Sequence, residues 1–144
     1  MAYTERFSEV HKLLAVQSFT TASTEQNTSW IDGSHYHRYA VVIRTDVVGT
    51  DFNADIELSN TGTGAGTNVH TLKSITEITA DEASVVIELR GEEFSKPANA
   101  TGDEYRYFRV ETTPDGNCNY TVMVFGISPR YAPVGVSEWD EVVA

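Results

Sequence analysis

Residues 105–127 read YRYFRVETTPDGNCNYTVMVFGI, and this stretch decides the class of fold. From Tyr105 to Thr112 the residues alternate: Phe108 and Val110 share one face, while Tyr105, Tyr107, Arg109 and Glu111 share the other. A period of two marks an extended strand with one face buried. From Asn119 to Ile127, Tyr120, Val122 and Val124 lie on one face and Met123, Phe125 and Ile127 on the other. This second strand is apolar on both sides and needs cover on both, the second cover coming from another subunit or a terminal segment. Between them, Pro114-Asp115-Gly116-Asn117 supplies a fixed φ and a left-handed position, which predicts a hairpin pairing the two strands.

The same pattern recurs upstream. Val41, Val42 and Ile43 form a β-branched run after Tyr39; Ala54, Ile56 and Leu58 alternate with Asp55 and Glu57; Val85, Val86, Ile87 and Leu89 mark a strand over Ser84 to Arg90. Val69 to Ile78 has apolar residues at a spacing of three, but its β-branched content favours a strand. His11 to Thr20 is ambiguous. About seven or eight short strands with no intervening amphipathic helix predict an all-β, antiparallel β-sandwich, Ig-like or jelly-roll, with extended terminal arms. The expected division is an N-terminal arm at 1–12, a sandwich at 13–128 and a C-terminal tail at 129–144.

Composition bounds the function. The chain has 144 residues, one cysteine (Cys118) and a formal net charge of -11. A single cysteine forms no internal disulfide. The acid excess and scattered basic residues argue against nucleic acid and against an anionic membrane surface. No secretory signal is read in Met1 to Val10, and no apolar run has the length of a membrane span.

Candidate chemical sites are few. His35 and His37 share a side of an extended segment and with Asp32 offer three zinc-ligand types, but no second histidine pair completes the shell. The glycines Gly62, Gly64 and Gly66 lack the lysine and helix of a phosphate loop and read as a loop tip. The pairs Asp81-Glu82 and Glu92-Glu93 read as solvated turns or capping groups, and no nucleophile elbow occurs. No catalytic, cofactor or metal residue is assigned, and the chain is read as a non-enzyme.

Binding residues are the better candidates. Tyr105, Tyr107 and Arg109 are the tyrosine-arginine mixture enriched at protein interfaces. After Ile127, Pro129, Pro133 and Gly135 disfavour helix, and Arg130, Tyr131, Val134, Val136 and Trp139 give the tail its anchors.

The order of segments resembles small proteins encoded beside the major capsid gene of tailed bacteriophages. The resemblance rests on Trp30-Ile31-Asp32-Gly33 leading into Tyr39 to Val47, on Ile75 to Thr79 and on Ser84 to Arg90. It continues through Tyr105-Arg106-Tyr107-Phe108-Arg109-Val110 to Ser128-Pro129-Arg130-Tyr131-Ala132-Pro133. It implies a virion structural protein, a decoration (cement) protein made in the host cytoplasm and bound to the outer surface of the capsid shell. The implied partners are the major capsid protein and further copies of itself, with trimers at local threefold positions. The alternatives are a head–tail connector or tail structural protein, or a carbohydrate-binding sandwich using Trp30, Trp139 or tyrosines to stack on sugars.

Overall fold

The computed structural model describes residues 11–64, 69–94 and 105–130. The strands are β1 (His11–Ala22), β2 (Gln26–Asn27), β3 (Ile31–Asp32), β4 (Tyr36–Val47), β5 (Asp51–Ser59), β6 (His70–Ser74), β7 (Ser84–Arg90), β8 (Tyr107–Asp115) and β9 (Cys118–Pro129). A 3-10 turn, Gly91–Glu93, follows β7. Its Glu93 carboxylate accepts the Arg90 N–H at 2.7 Å, the capping role expected of this acid pair.

Two antiparallel sheets form. Sheet A has the order β1-β9-β4-β7; sheet B has the order β2-β8-β5-β6, with β3 also on β8. With β2 and β3 taken as one interrupted strand, every connection except β5 to β6 crosses between the sheets. That is the jelly-roll arrangement of a double-sheet sandwich. The expected antiparallel sandwich is therefore present, and strand order decides between the two topologies that residue patterns left open.

The buried alternate residues of each sheet meet between them: Tyr39, Val41, Ile43, Tyr120, Val122 and Val124 from sheet A, and Phe52, Ile56, Leu58, Phe108 and Val110 from sheet B. Tyr39 lies 4.9 Å, ring centre to ring centre, from Phe108 and 5.7 Å from Phe94. Its hydroxyl donates to the Asp32 carbonyl at 3.2 Å and accepts from the Tyr36 N–H at 3.1 Å. Thr112 and Tyr120 share a hydroxyl–hydroxyl bond of 2.7 Å across the layers. Tyr39 and Tyr120 thus satisfy their polar ends.

One expectation is overturned. β8 and β9 do not pair with each other: β8 pairs with β5, β2 and β3, and β9 with β1 and β4. The turn between them does have left-handed backbone at Gly116 (φ 70°) and Asn117 (φ 62°), but it folds the chain over the edge of the sandwich. Phe108, Val110, Tyr120 and Val122 then face one another across the core instead of lying side by side. A Cβ on Gly49 would collide with the Gly116 carbonyl, so the β4–β5 and β8–β9 corners nest through glycine.

Smaller differences follow the same logic. The strand expected over Val69 to Ile78 is confined to β6, and Ile78 makes only an isolated bridge to Phe52. His11 and Lys12, assigned to an arm, belong to β1, and β9 runs to Pro129. The expected arms at 1–10 and 131–144 lie outside the described residues, as do Tyr131, Val134 and Trp139.

Candidate protein-binding face

Strand register arranges the outer face of sheet A in rows. Val16 pairs with Met123, Met123 with Val42, and Val42 with Val86, giving one apolar row across all strands of the sheet. Its two ends are open: Val16 is 55% exposed and Val86 60%. The next row, Leu13, Phe125, Ala40 and Glu88, widens the apolar area. On one flank lies a polar row of Ser18, Thr121, Arg44 and Ser84. That flank is internally bonded: Ser18 Oγ and Thr121 Oγ1 are 2.9 Å apart, and Arg44 donates to Ser84 Oγ at 3.0 Å and to the Glu82 carbonyl.

On the other flank the row reads His11, Ile127, Arg38 and Arg90. Two arginines directly opposite on neighbouring strands repel. His37, Arg38, Arg90, Glu92 and Arg130 together line a depression of 280 Å³. Arg130 is held there by its Nε, which donates to the Tyr36 carbonyl at 3.2 Å, and by its N–H to the His35 carbonyl at 3.0 Å. Arg90 reaches Glu92 only at 3.7 Å, with both side chains more than two-thirds exposed, which is a weak pair. Arg38 forms no ion pair among the described residues.

The outer face of sheet B carries the residues first singled out for binding. Tyr107 and Arg109 do point outward on β8, as the alternation requires. Arg109 Nε donates to Glu57 at 2.6 Å, and its guanidinium lies 4.8 Å from the centre of the Trp30 ring. Gly64 closes against the same Trp30, and Gly62 against Tyr107. Tyr105 precedes β8 and stacks on His70 at 5.9 Å. These side chains are therefore engaged with one another and with loops of the same chain, and Trp30 does not offer a bare ring to a sugar.

Acids dominate the remainder of that face. Glu111 stands opposite Asp55 on β5 and Asn27 on β2. Burial, together with the nearby charges of Glu57 and Glu25, pushes its carboxyl up to about 7. Asn27 Oδ1 beside it is buried without a partner among the described residues.

The histidine pair does not assemble with Asp32 as drawn. Burial raises the Asp32 carboxyl, but Arg106 and Ser34 outweigh it and hold the group well below the usual carboxylate range. Arg106 grips both oxygens, at 2.6 Å to 3.1 Å, and Ser34 donates through its N–H at 2.9 Å and its hydroxyl at 2.6 Å. His35 stays 3.7 Å away, while His37 lines the arginine depression. A longer groove of 570 Å³ runs between the edges of β6 and β7, lined in part by Ile75, Val85 and Ile87. Its cation, Lys73, is bound to the Glu88 carbonyl at 2.7 Å and to Glu93 at 2.9 Å.

Sequence reasoning missed the arginine depression because Arg38, Arg90 and Arg130 are far apart in the chain. The legible signal was the outward position of Arg38 and Arg90 on strands of one sheet.

No family model matches the chain, and no curated protein does. Solved structures do. A chain from the disulfide-linked pili of Bacillus endospore appendages is 11% identical, with 89% of this chain and 98% of that one covered and a TM-score of 0.45. A family 4 carbohydrate-binding module (CBM4) is 14% identical over 83% of this chain and 78% of that one, with a TM-score of 0.43. A chain of infectious bursal disease virus strain Gx is 14% identical over 82% of this chain and 33% of that one, with a TM-score of 0.30.

Proposed function

We propose that this chain is a structural protein of a bacteriophage virion, a decoration protein that lies on the outer capsid surface and adheres through the outer face of sheet A. The observation that carries the reading is the apolar row Val16–Met123–Val42–Val86, open at both ends on a strongly acidic protein. An apolar row that crosses a whole sheet on its outer side, half-buried in the middle and open at both ends, supports a contact area there. The sequence resemblance to proteins encoded beside capsid genes supports the major capsid protein as the partner. The net charge of -11 suits the exterior of a DNA-filled shell better than its interior. The role is mechanical: the face would hold neighbouring capsid subunits together by buried area, for which a total of about 1,600 Å² is the usual scale of a stable contact.

Copy number per purified particle, by quantitative mass analysis, tests this. Copies in proportion to the capsid protein are expected. A handful per particle places the chain at the neck or tail, and absence from particles removes the virion role altogether.

A further inference from the structure

The arginine depression at the end of sheet A is not explained by an apolar contact face, and its chemistry is specific. Three arginines meet one glutamate there, although the chain has only 10 lysines and arginines against 21 acids. Arg38 and Arg90 are held opposite each other by the β4–β7 register, and Arg130 is pinned by backbone carbonyls. Guanidinium groups brought side by side on one sheet edge, one of them fixed by a backbone carbonyl, fit a carboxylate-rich peptide.

This chain carries such a peptide. Residues 131–144 read YAPVGVSEWDEVVA, with Glu138, Asp140 and Glu141 and no basic residue. Their aromatic and aliphatic members match the apolar rows beside the depression. The segment starts at Arg130, on the rim of the depression itself. Eight residues of extended chain span at most roughly 26 Å, a reach long enough to bring Glu138 to a neighbouring molecule.

We propose that the acidic part of the C-terminal segment, Glu138 to Glu141, of one copy docks in the Arg38–Arg90–Arg130 depression of a second copy. The contact is head-to-tail: each copy offers one tail and one depression, so copies link around a ring or along a surface. This adds to the proposed capsid role the link between adjacent copies. It is tested without capsids, so its failure and the failure of that role are separable.

The test mixes two full-length variants. One, Arg38→Glu with Arg90→Glu, keeps the tail and loses the depression. The other, Glu138→Lys with Asp140→Lys and Glu141→Lys, keeps the depression and loses the tail. Sedimentation velocity is run at roughly millimolar protein, the effective concentration of tethered neighbours. The wild type is expected to associate, and its affinity to fall about tenfold or more between ~0.05 and ~0.5 M salt, as screened surface ion pairs do. Each variant alone should remain monomeric, and the mixture should form a heterodimer. Because Arg38 and Arg90 are exposed, both variants should keep wild-type circular dichroism and melting temperature; Arg38→Gln with Arg90→Gln, milder in charge, serves as the second depression variant. A mixture that stays monomeric overturns the proposal, as does wild-type-like self-association of either variant; the first result points instead to a tail folded on its own sandwich.

Discussion

The two outer faces of the sandwich are built from the same kind of strand and end up opposite in character. On sheet B, Arg109 is bound to Glu57 and lies over Trp30, Gly62 lies against Tyr107, and the excess charge is acid against acid. On sheet A, valines stand open in a row and arginines oppose one another with weak pairing. A face whose groups answer one another is finished within the chain. A face with open apolar groups and weakly paired charge is the one the proposed adhesion uses. Arginine and tyrosine content alone would have pointed to sheet B, and it is the partners of those side chains that shift the weight to sheet A.

The contrast can be broken in stages. The largest effect is expected from Tyr39→Ala, which removes a buried ring touching Phe94 and Phe108 and two hydrogen bonds. It should cost about 3–5 kcal/mol in chemical denaturation and abolish both faces together, since they share one core. Arg109→Ala comes next. It leaves Glu57, with a side chain only 13% exposed, without its cation, and should cost about 1–3 kcal/mol with no change in association. The same loss from an exposed pair such as Arg90–Glu92 should be about 0–1 kcal/mol, which sharpens the difference between a closed face and an open one.

Glu111→Gln probes sheet B by pH. In the fold this carboxyl titrates at about 7, above its ordinary 4.5, so folding favours the protonated form. The stability it lends is complete below about 4.5 and is lost as pH rises through 7. The glutamine variant should therefore melt higher than the wild type at pH 8, with the gap closing at pH 4. The smallest effect on folding is expected from Val86→Glu, within about 0.5 kcal/mol of wild type because the side chain is already in solvent. Its effect should fall on adhesion to particles.

How much of this was legible beforehand depended on range. Alternation gives the buried face of β8 and sorts β9 into two apolar faces, because pleating ties side-chain direction to position with no reference to neighbours. It could not give the neighbours themselves. The Pro114–Asn117 turn satisfies a hairpin and a corner between sheets equally well, and the choice is made by where β1, β4 and β5 lie, strands some 50 to 110 residues away. The apolar character of both sides of β9 is visible in the sequence, and the rows that extend its outer side to Val16, Val42 and Val86 require the register. Glu57 as partner of Arg109 is 52 residues distant, so the self-sufficiency of sheet B was equally hidden.

Oxidative footprinting of the protein free and bound to capsid particles tests the central claim most directly. Protection of Met123, Phe125 and Val86 on binding, with Tyr107 and Trp30 on sheet B unchanged, is the result predicted by adhesion through sheet A. Protection of Tyr107 and Trp30 with Met123 as reactive as in the free protein would contradict it.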